Sequence, residues 1–380
     1  MICQFSTMIK GILPMAELTY KEIKNDQYEA RIENMLTELP EFCEDFVYGL
    51  ASAKSASTRY AYLVDIKVFL EYVRNKLPRY GIHDLRDLTL ETMDQITPRD
   101  LDKYLNYLSH YTSDGRDYVN SENGKLRKIA SVSSLYKFFI RRNQLKSNPT
   151  IALERPKVKN IQKVVLTDDE VDKLLTDIES GTNLSQAQMR THEKRKFRDL
   201  SIVVLLLSTG MRVSELVGLN VSDIYFDHPD EDEYGNVVYS AKVIRKGGKK
   251  DTVVFTEECM YYLRVYMEKE RTALLSSAGK APEDEPAMFI SLKGSRMAAN
   301  SVEHMVSDYS KGSIPLKHIT PHKFRKTRGS NLYNATGDIE LVRNILGHAE
   351  ISTTSKHYIL DAETKKIGAA YIAAPLHEES

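Results

Sequence analysis

Between Asn148 and Val165 the chain places Pro149, Pro156 and several lysines with little apolar periodicity, so this stretch reads as an extended connection, neither helix nor strand. It divides the sequence into two parts, each of which must build its own core. Before it, Ala16 to about Leu50 is an acidic amphipathic segment of one or two helices broken at Pro40. Ser57 to Val73 sets Tyr60, Leu63, Val64, Val68 and Tyr72 near helical spacing. Thr97 then caps a helix with Pro98 at its first position and Leu101, Tyr104 and Leu108 on one stripe, and a third helix runs from Leu126 to Ile140. No strand is signalled in this half.

After the connection, Thr167-Asp168-Asp169-Glu170 forms a capping box ahead of Val171, Leu174 and Leu175. A long helix is expected from about Arg190, carrying Leu200 to Leu207 into a core and stopping at Gly210. Residues 236 to 255 switch to period two, with Val238, Ser240, Lys242 and Ile244 alternating with their neighbours. Gly247-Gly248 turns that run into a β-hairpin. The expected class is mainly α, with one small antiparallel sheet in the second half. Residues 1–14 show no clear period and receive no function.

With 380 residues, 42% hydrophobic and 28% charged, the chain is globular by composition and long enough for two or three cores. Its longest interior apolar run, Ile202 to Leu207, is far below the roughly 20 residues of a membrane span, and no leader pattern opens it, so a cytoplasmic protein without a membrane partner is expected. Cys3, Cys43 and Cys259 are scattered without C-x-x-C pairing, which leaves three free thiols and neither a disulfide framework nor a zinc site. Net charge is zero, but residues 1–50 hold nine acids against four bases. Residues 121–163 hold eleven Lys/Arg, among them Lys125, Arg127, Lys128, Arg141 and Arg142, against Glu122 and Glu154. A basic run beside a linker fits either a solvated face or contact with nucleic-acid phosphate.

Three stretches could carry chemistry. Thr209-Gly210-Met211-Arg212-Val213-Ser214-Glu215 puts an arginine just behind an apolar helix, where it must pair or face a cleft. Thr320-Pro321-His322-Lys323-Phe324-Arg325 begins a helix with a Thr cap and sets His322 and Arg325 on one face at the positive end of the dipole, a plausible phosphate site. Leu346-Gly347-His348 ends another helix ahead of a Thr-rich stretch reaching Tyr358.

In the order Arg212, Lys246, His322-x-x-Arg325, Leu346-Gly347-His348, Tyr358, these elements resemble the catalytic domain of the tyrosine recombinases, the family of the Xer proteins, Cre and lambda integrase. The resemblance covers about Ser57 to Tyr371, and one spacing departs from it. Tyr358 follows His348 by ten residues, where nine is usual and would fall on His357. Tyr358 supplies the required phenol, and Tyr371 is expected in a terminal helix instead.

The resemblance implies an acidic extension (1–50), a helical SAM-like core DNA-binding domain (51–148), a basic linker (149–165) and a catalytic domain (166–360). A C-terminal helix and tail (361–380), with Ile367, Ala370 and Tyr371 on one face, would be exchanged between protomers. It implies cleavage and rejoining of double-stranded DNA through a 3′-phosphotyrosine and a Holliday junction, by a homotetramer, or a heterotetramer with a paralogue, on two sites. Tyr358 would be the nucleophile, Arg212 and Arg325 the phosphate clamp, and His322 and His348 proton acceptors or donors. Glu215 would orient Arg212, and Lys246 would be the general acid, with Lys249 and Lys250 as rivals for that role or contacts to the DNA backbone. Alternatives are a type IB topoisomerase, which resembles these enzymes in its catalytic residues, and a catalytically silent DNA-binding regulator on the same fold. The chemistry suits these groups, since a phosphodiester needs fixed cations around its oxygens and a phenol ionising near ~10 needs a base. No P-loop, dinucleotide fingerprint or metal cluster is visible, so neither ATP, metal nor other cofactor is expected.

Overall fold

The computed structural model describes residues 19–154, 165–232, 235–281 and 285–347, with the backbone alone at Lys246. The chain divides into two compact units, Met1–Ile161 and Gln162–Ser380. His348, Tyr358, Tyr371 and the expected C-terminal helix lie outside the described residues.

In the first unit the helices are α1 (Tyr20–Leu36), α2 (Glu41–Gly49), α3 (Ala56–Lys76), the short α4 (Leu90–Asp94), α5 (Pro98–Tyr107) and α6 (Glu122–Ile140). Their starts follow local side-chain chemistry. Thr19 with Glu22 and Thr97 with Asp100 form capping boxes, Ser55 caps α3, and Pro40 stands at the head of α2 as expected. Leu63, Ile66, Phe69 and Val73 of α3 pack with Leu101, Tyr104, Val132, Leu135 and Phe139 into one core, to which α1 and α2 add Ile32, Phe42, Phe46 and Val47.

A short hairpin, β1 (His110–Ser113) and β2 (Arg116–Val119), corrects the expectation of a strand-free first half. Its turn is Asp114-Gly115, both with positive φ (48° and 71°), which is the geometry that joins strands most tightly. At the centre of this unit the fully buried Asp65 accepts bonds from Arg127 (2.6 Å), Lys128 (3.1 Å) and Ser131 (2.9 Å).

The second unit contains α7 (Asp168–Ser180), α8 (Gln186–His192), α9 (Lys196–Thr209), α10 (Val213–Gly218), β3 (Asp230–Glu231), β4 (Val237–Ile244), β5 (Lys250–Thr256), α11 (Glu257–Tyr266), α12 (Thr272–Ser277), α13 (Ala299–Ser313), α14 (Pro321–Thr336) and α15 (Ile339–Leu346). The Thr167 capping box opens α7 as expected. The single long helix expected from Arg190 is two, α8 and α9, because Arg195 (φ −146°, ψ 0°) breaks the run. The first amides of α9, which have no partner within the helix, are satisfied from far away, since the Glu270 carboxylate accepts from Phe197 N (3.0 Å) and Arg198 N (2.8 Å). Ile202, Val203, Leu205 and Leu206 of α9 are fully buried, which makes this helix the axis of the unit.

The antiparallel sheet runs β3-β4-β5, with Val238 opposite Thr256 and Ile244 opposite Lys250. Tyr239, Ala241 and Val243 face the core, and the intervening positions of β4 face outward. Among the described residues no helix is long and apolar enough to cross a membrane.

Candidate active site

The site is assembled where the ends of three helices, α9, α14 and α15, meet. The apolar α9 closes at Gly210 (φ 64°), a left-handed position that glycine adopts without strain. A Cβ there would lie 2.6 Å from Leu346 Cδ2, so the turn also needs glycine to pack against the end of α15. Beyond it Arg212 is extended (φ −77°, ψ 150°) at the head of α10, and Glu215 folds back on it from three positions on. The Glu215 carboxylate accepts from Arg212 N (2.9 Å) and Arg212 Nη1 (2.7 Å). Glu215 is buried, whereas the Arg212 side chain keeps 32% of its exposure.

The carboxyl end of α15 is the second component. It stops at Gly347 (φ 62°), leaving carbonyls that carry the negative end of the helix dipole. Arg325, buried on the first turns of α14, donates through Nη1 to Gly210 O (2.7 Å) and through Nη2 to Leu346 O. Arg212 Nη2 reaches Gly347 O at 3.5 Å. Arg212, Glu215 and Arg325 are thus brought together around the residue preceding His348.

His322 lies exposed in the first turn of α14, while Arg325 one turn on is buried. Thr320 occupies the cap position of that helix, but its side chain makes no capping bond, so Pro321 and backbone geometry start it. Lys246 opens the short turn Lys246–Gly248 between β4 and β5, beside the exposed Lys249 and Lys250.

Sequence reasoning missed Arg245. Its guanidinium is buried and donates to Glu215 Oε2 (3.1 Å), Asp251 Oδ2 (3.0 Å), Ile345 O (3.1 Å) and Leu346 O (3.4 Å). The signal was present: in a period-two strand, residue 245 falls on the inward parity of Tyr239, Ala241 and Val243. An arginine in that register must find buried partners.

Of the basic run in the first unit, Lys128 is buried on Asp65 and its ammonium is committed to the interior, in contrast to the surface role expected of it. Lys125 pairs with Glu122 (2.9 Å), and Arg127 spans from Asp65 to solvent with 54% of its side chain exposed. Arg141 and Arg142 are exposed, and Arg142 lies over the Phe138 ring at 3.6 Å from its centroid. Burial pushes the thiols of Cys43 and Cys259 well above the usual range, so both stay protonated. Among the described residues no group of three or more His, Cys, Asp or Glu is placed to hold a metal ion.

Known proteins resemble this chain over most of its length. "Tyrosine recombinase XerC" of Caldanaerobacter subterraneus subsp. tengcongensis is 27% identical, with 85% of this chain and 84% of that protein covered. "Tyrosine recombinase XerS" of Streptococcus uberis is 29% identical, covering 88% and 96%. Among solved structures, the XerH site-specific recombinase bound to a palindromic difH substrate in a post-cleavage complex aligns with TM-score 0.58 at 17% identity, covering 91% of this chain and 88% of that one, a likeness of fold. Residues 164–365, more than half of the sequence and spanning Arg212 through Tyr358, match the family described as "Phage integrase family", and the chain belongs to it.

Proposed function

We propose that this protein is a site-specific tyrosine recombinase that cuts and rejoins double-stranded DNA. The observation that carries the proposal is the convergence of Arg212, held by Glu215, and Arg325 on the carbonyls of Gly347 and Leu346 at the carboxyl end of α15, directly ahead of His348 and eleven to twelve residues before Tyr358. Arg212 and Arg325 bind the non-bridging oxygens of the scissile phosphate, where charge grows in the transition state. The Tyr358 phenol, deprotonated with help from His322 or His348, attacks phosphorus and forms the 3′-phosphotyrosine as the bond to the 5′ oxygen breaks. Lys246 gives that oxygen its proton. The bond energy is kept in the phosphotyrosine, so rejoining is the reverse attack by a 5′ hydroxyl and uses neither metal nor ATP. Each protomer supplies one tyrosine and recombination makes four cuts, so a homotetramer, or a heterotetramer with a paralogue, acts on two sites through a Holliday junction in the cytoplasm.

The test is covalent trapping. The full chain first selects its site from a randomised duplex pool, and a nicked suicide duplex built on that site is then offered to it. A denaturation-resistant protein–DNA complex is expected, and Tyr358→Phe should abolish it. Binding without any covalent complex would replace recombination by a silent DNA-binding role. Relaxation of a plasmid lacking paired sites, without strand exchange, would replace it by topoisomerase action.

A further inference from the structure

We propose that Arg245 is a positioning residue for strand cleavage, fixing the root of the Lys246 turn to Glu215 and to the carboxyl end of α15. The proposal rests on the reading of Lys246 as the general acid. Three structural facts carry it. First, Arg245 is 5% exposed although Gly247, Gly248, Lys249 and Lys250 beyond it are all exposed, so it is the buried anchor of an otherwise solvated turn. Second, its partners lie on three separate elements: Asp251 on β5, Glu215 on α10, and Ile345 and Leu346 on α15. Third, the turn closes on its backbone, with Arg245 N donating to Lys249 O (2.8 Å) and Gly248 N donating to Arg245 O (3.1 Å). Fixing this one side chain therefore fixes the frame from which Lys246 departs.

Gly347 completes the contact. A Cβ at that position would lie 3.0 Å from Arg245 Nε and 3.1 Å from Cζ, so the end of α15 stops directly against the guanidinium. The planar fork is essential to the arrangement. A lysine ammonium is a point charge and cannot reach an aspartate, a glutamate and two carbonyls at once. Because Glu215 also holds Arg212, Arg245 ties together the lysine turn, the arginine clamp and the peptide leading into His348. A displacement of about 1 Å in such an assembly costs up to ~100-fold in rate.

The test uses Arg245→Lys in the full chain, with Asp251→Asn as a milder variant should the first not fold. Two readouts are taken. Hydrogen exchange of the DNA-free protein should quicken across residues 246–250 in the variant while the interior of α9 is unchanged. Cleavage of the selected suicide duplex should fall by about tenfold or more with binding retained. It should recover on a duplex whose 5′ bridging oxygen is sulfur, because a thiolate leaves without a proton. Lys246→Ala is run beside it. If Lys246→Ala is rescued by sulfur and Arg245→Lys is not, or if exchange at 246–250 does not change, the positioning role is overturned. If Lys246→Ala itself is not rescued, the general-acid reading fails, and the exchange readout alone decides whether Arg245 anchors the turn.

Discussion

Replacing Glu215 by glutamine tests the electrostatic logic of the site before any DNA is added. The carboxylate accepts three bonds, from Arg212 N (2.9 Å), Arg212 Nη1 (2.7 Å) and Arg245 Nη1 (3.1 Å). Glutamine keeps one acceptor oxygen, turns the other into a donor facing donors, and removes the charge that balances two guanidiniums. Breaking a buried ion pair by removing one partner costs roughly 3–5 kcal/mol. Arg212 is 32% exposed and can be rehydrated, so the lower end, ~3 kcal/mol, is expected. For a unit of this size each kcal/mol moves the midpoint by about 2–4 °C, so the second unit should melt some ~6–12 °C earlier in calorimetry. A second variant separates charge from packing. Glu215→Leu combined with Arg245→Met also removes the buried guanidinium that Glu215→Leu alone would strand, and should be more stable than Glu215→Leu alone by about 1–3 kcal/mol of coupling. A Glu215→Gln protein within ~1 kcal/mol of the parent, or strictly additive effects in the double variant, would refute this account of what holds the cluster together.

Arg212→Ala should leave duplex binding largely intact while covalent trapping falls by about 10²–10³, and loss of binding with normal cleavage of what binds would overturn its clamp assignment. Charge reversal at Arg141 and Arg142 should weaken DNA binding and lower the slope of log affinity against log salt by roughly 0.9 per lost phosphate contact, and an unchanged slope would make them a solvated face. Burial works to raise the Asp100 carboxyl, but bonds from Thr97 and the Arg79 guanidinium outweigh it and hold it below the usual aspartate value. Its stabilisation is therefore present above the unfolded value near ~3.9 and lost as pH falls through the lower folded value. Asp100→Asn should cost about 1–2 kcal/mol at neutral pH, with the gap to the parent closing in acid, and a gap constant down to pH ~2 would contradict the assignment.

What the sequence made legible was mostly local. The Thr97 cap ahead of Pro98, the capping box of Thr167 with Glu170, the stop at Gly210, the Gly247-Gly248 turn and the Arg212–Glu215 pair all act within a few residues, and each has a recognisable spacing. The features that escaped depend on distant partners. Glu270 caps α9 from 72 and 73 residues away, and Lys128 sinks onto Asp65 from 63 residues away. Arg245 has one near partner, Asp251 six residues on, but finds the others 30, 100 and 101 residues along the chain. The β1–β2 hairpin was missed although Asp114-Gly115 marks its turn, because its strands are four residues long and only Tyr111 is buried, so no alternation had room to show.

Like charges would ordinarily drive Arg212, Arg245 and Arg325 apart, so the arrangement depends on what lies between them. Glu215 and Asp251 supply two negative charges, and the carbonyls of Gly210, Ile345, Leu346 and Gly347 add oriented dipoles, three of them at the negative end of α15. Among the described residues Arg212 and Arg245 share the Glu215 carboxylate, Arg245 also holds Asp251, and Arg212 is the most exposed of the three arginines. In the proposed reaction the scissile phosphate would meet arginines already held in place by these bonds, so little reorganisation would remain when charge builds in the transition state. Because all three arginines lean on the same short stretch of carbonyls, removing one relaxes the hold on the others. Single arginine substitutions within the cluster should consequently lower covalent trapping nearly as much as double ones, the non-additive pattern of groups that act as a unit.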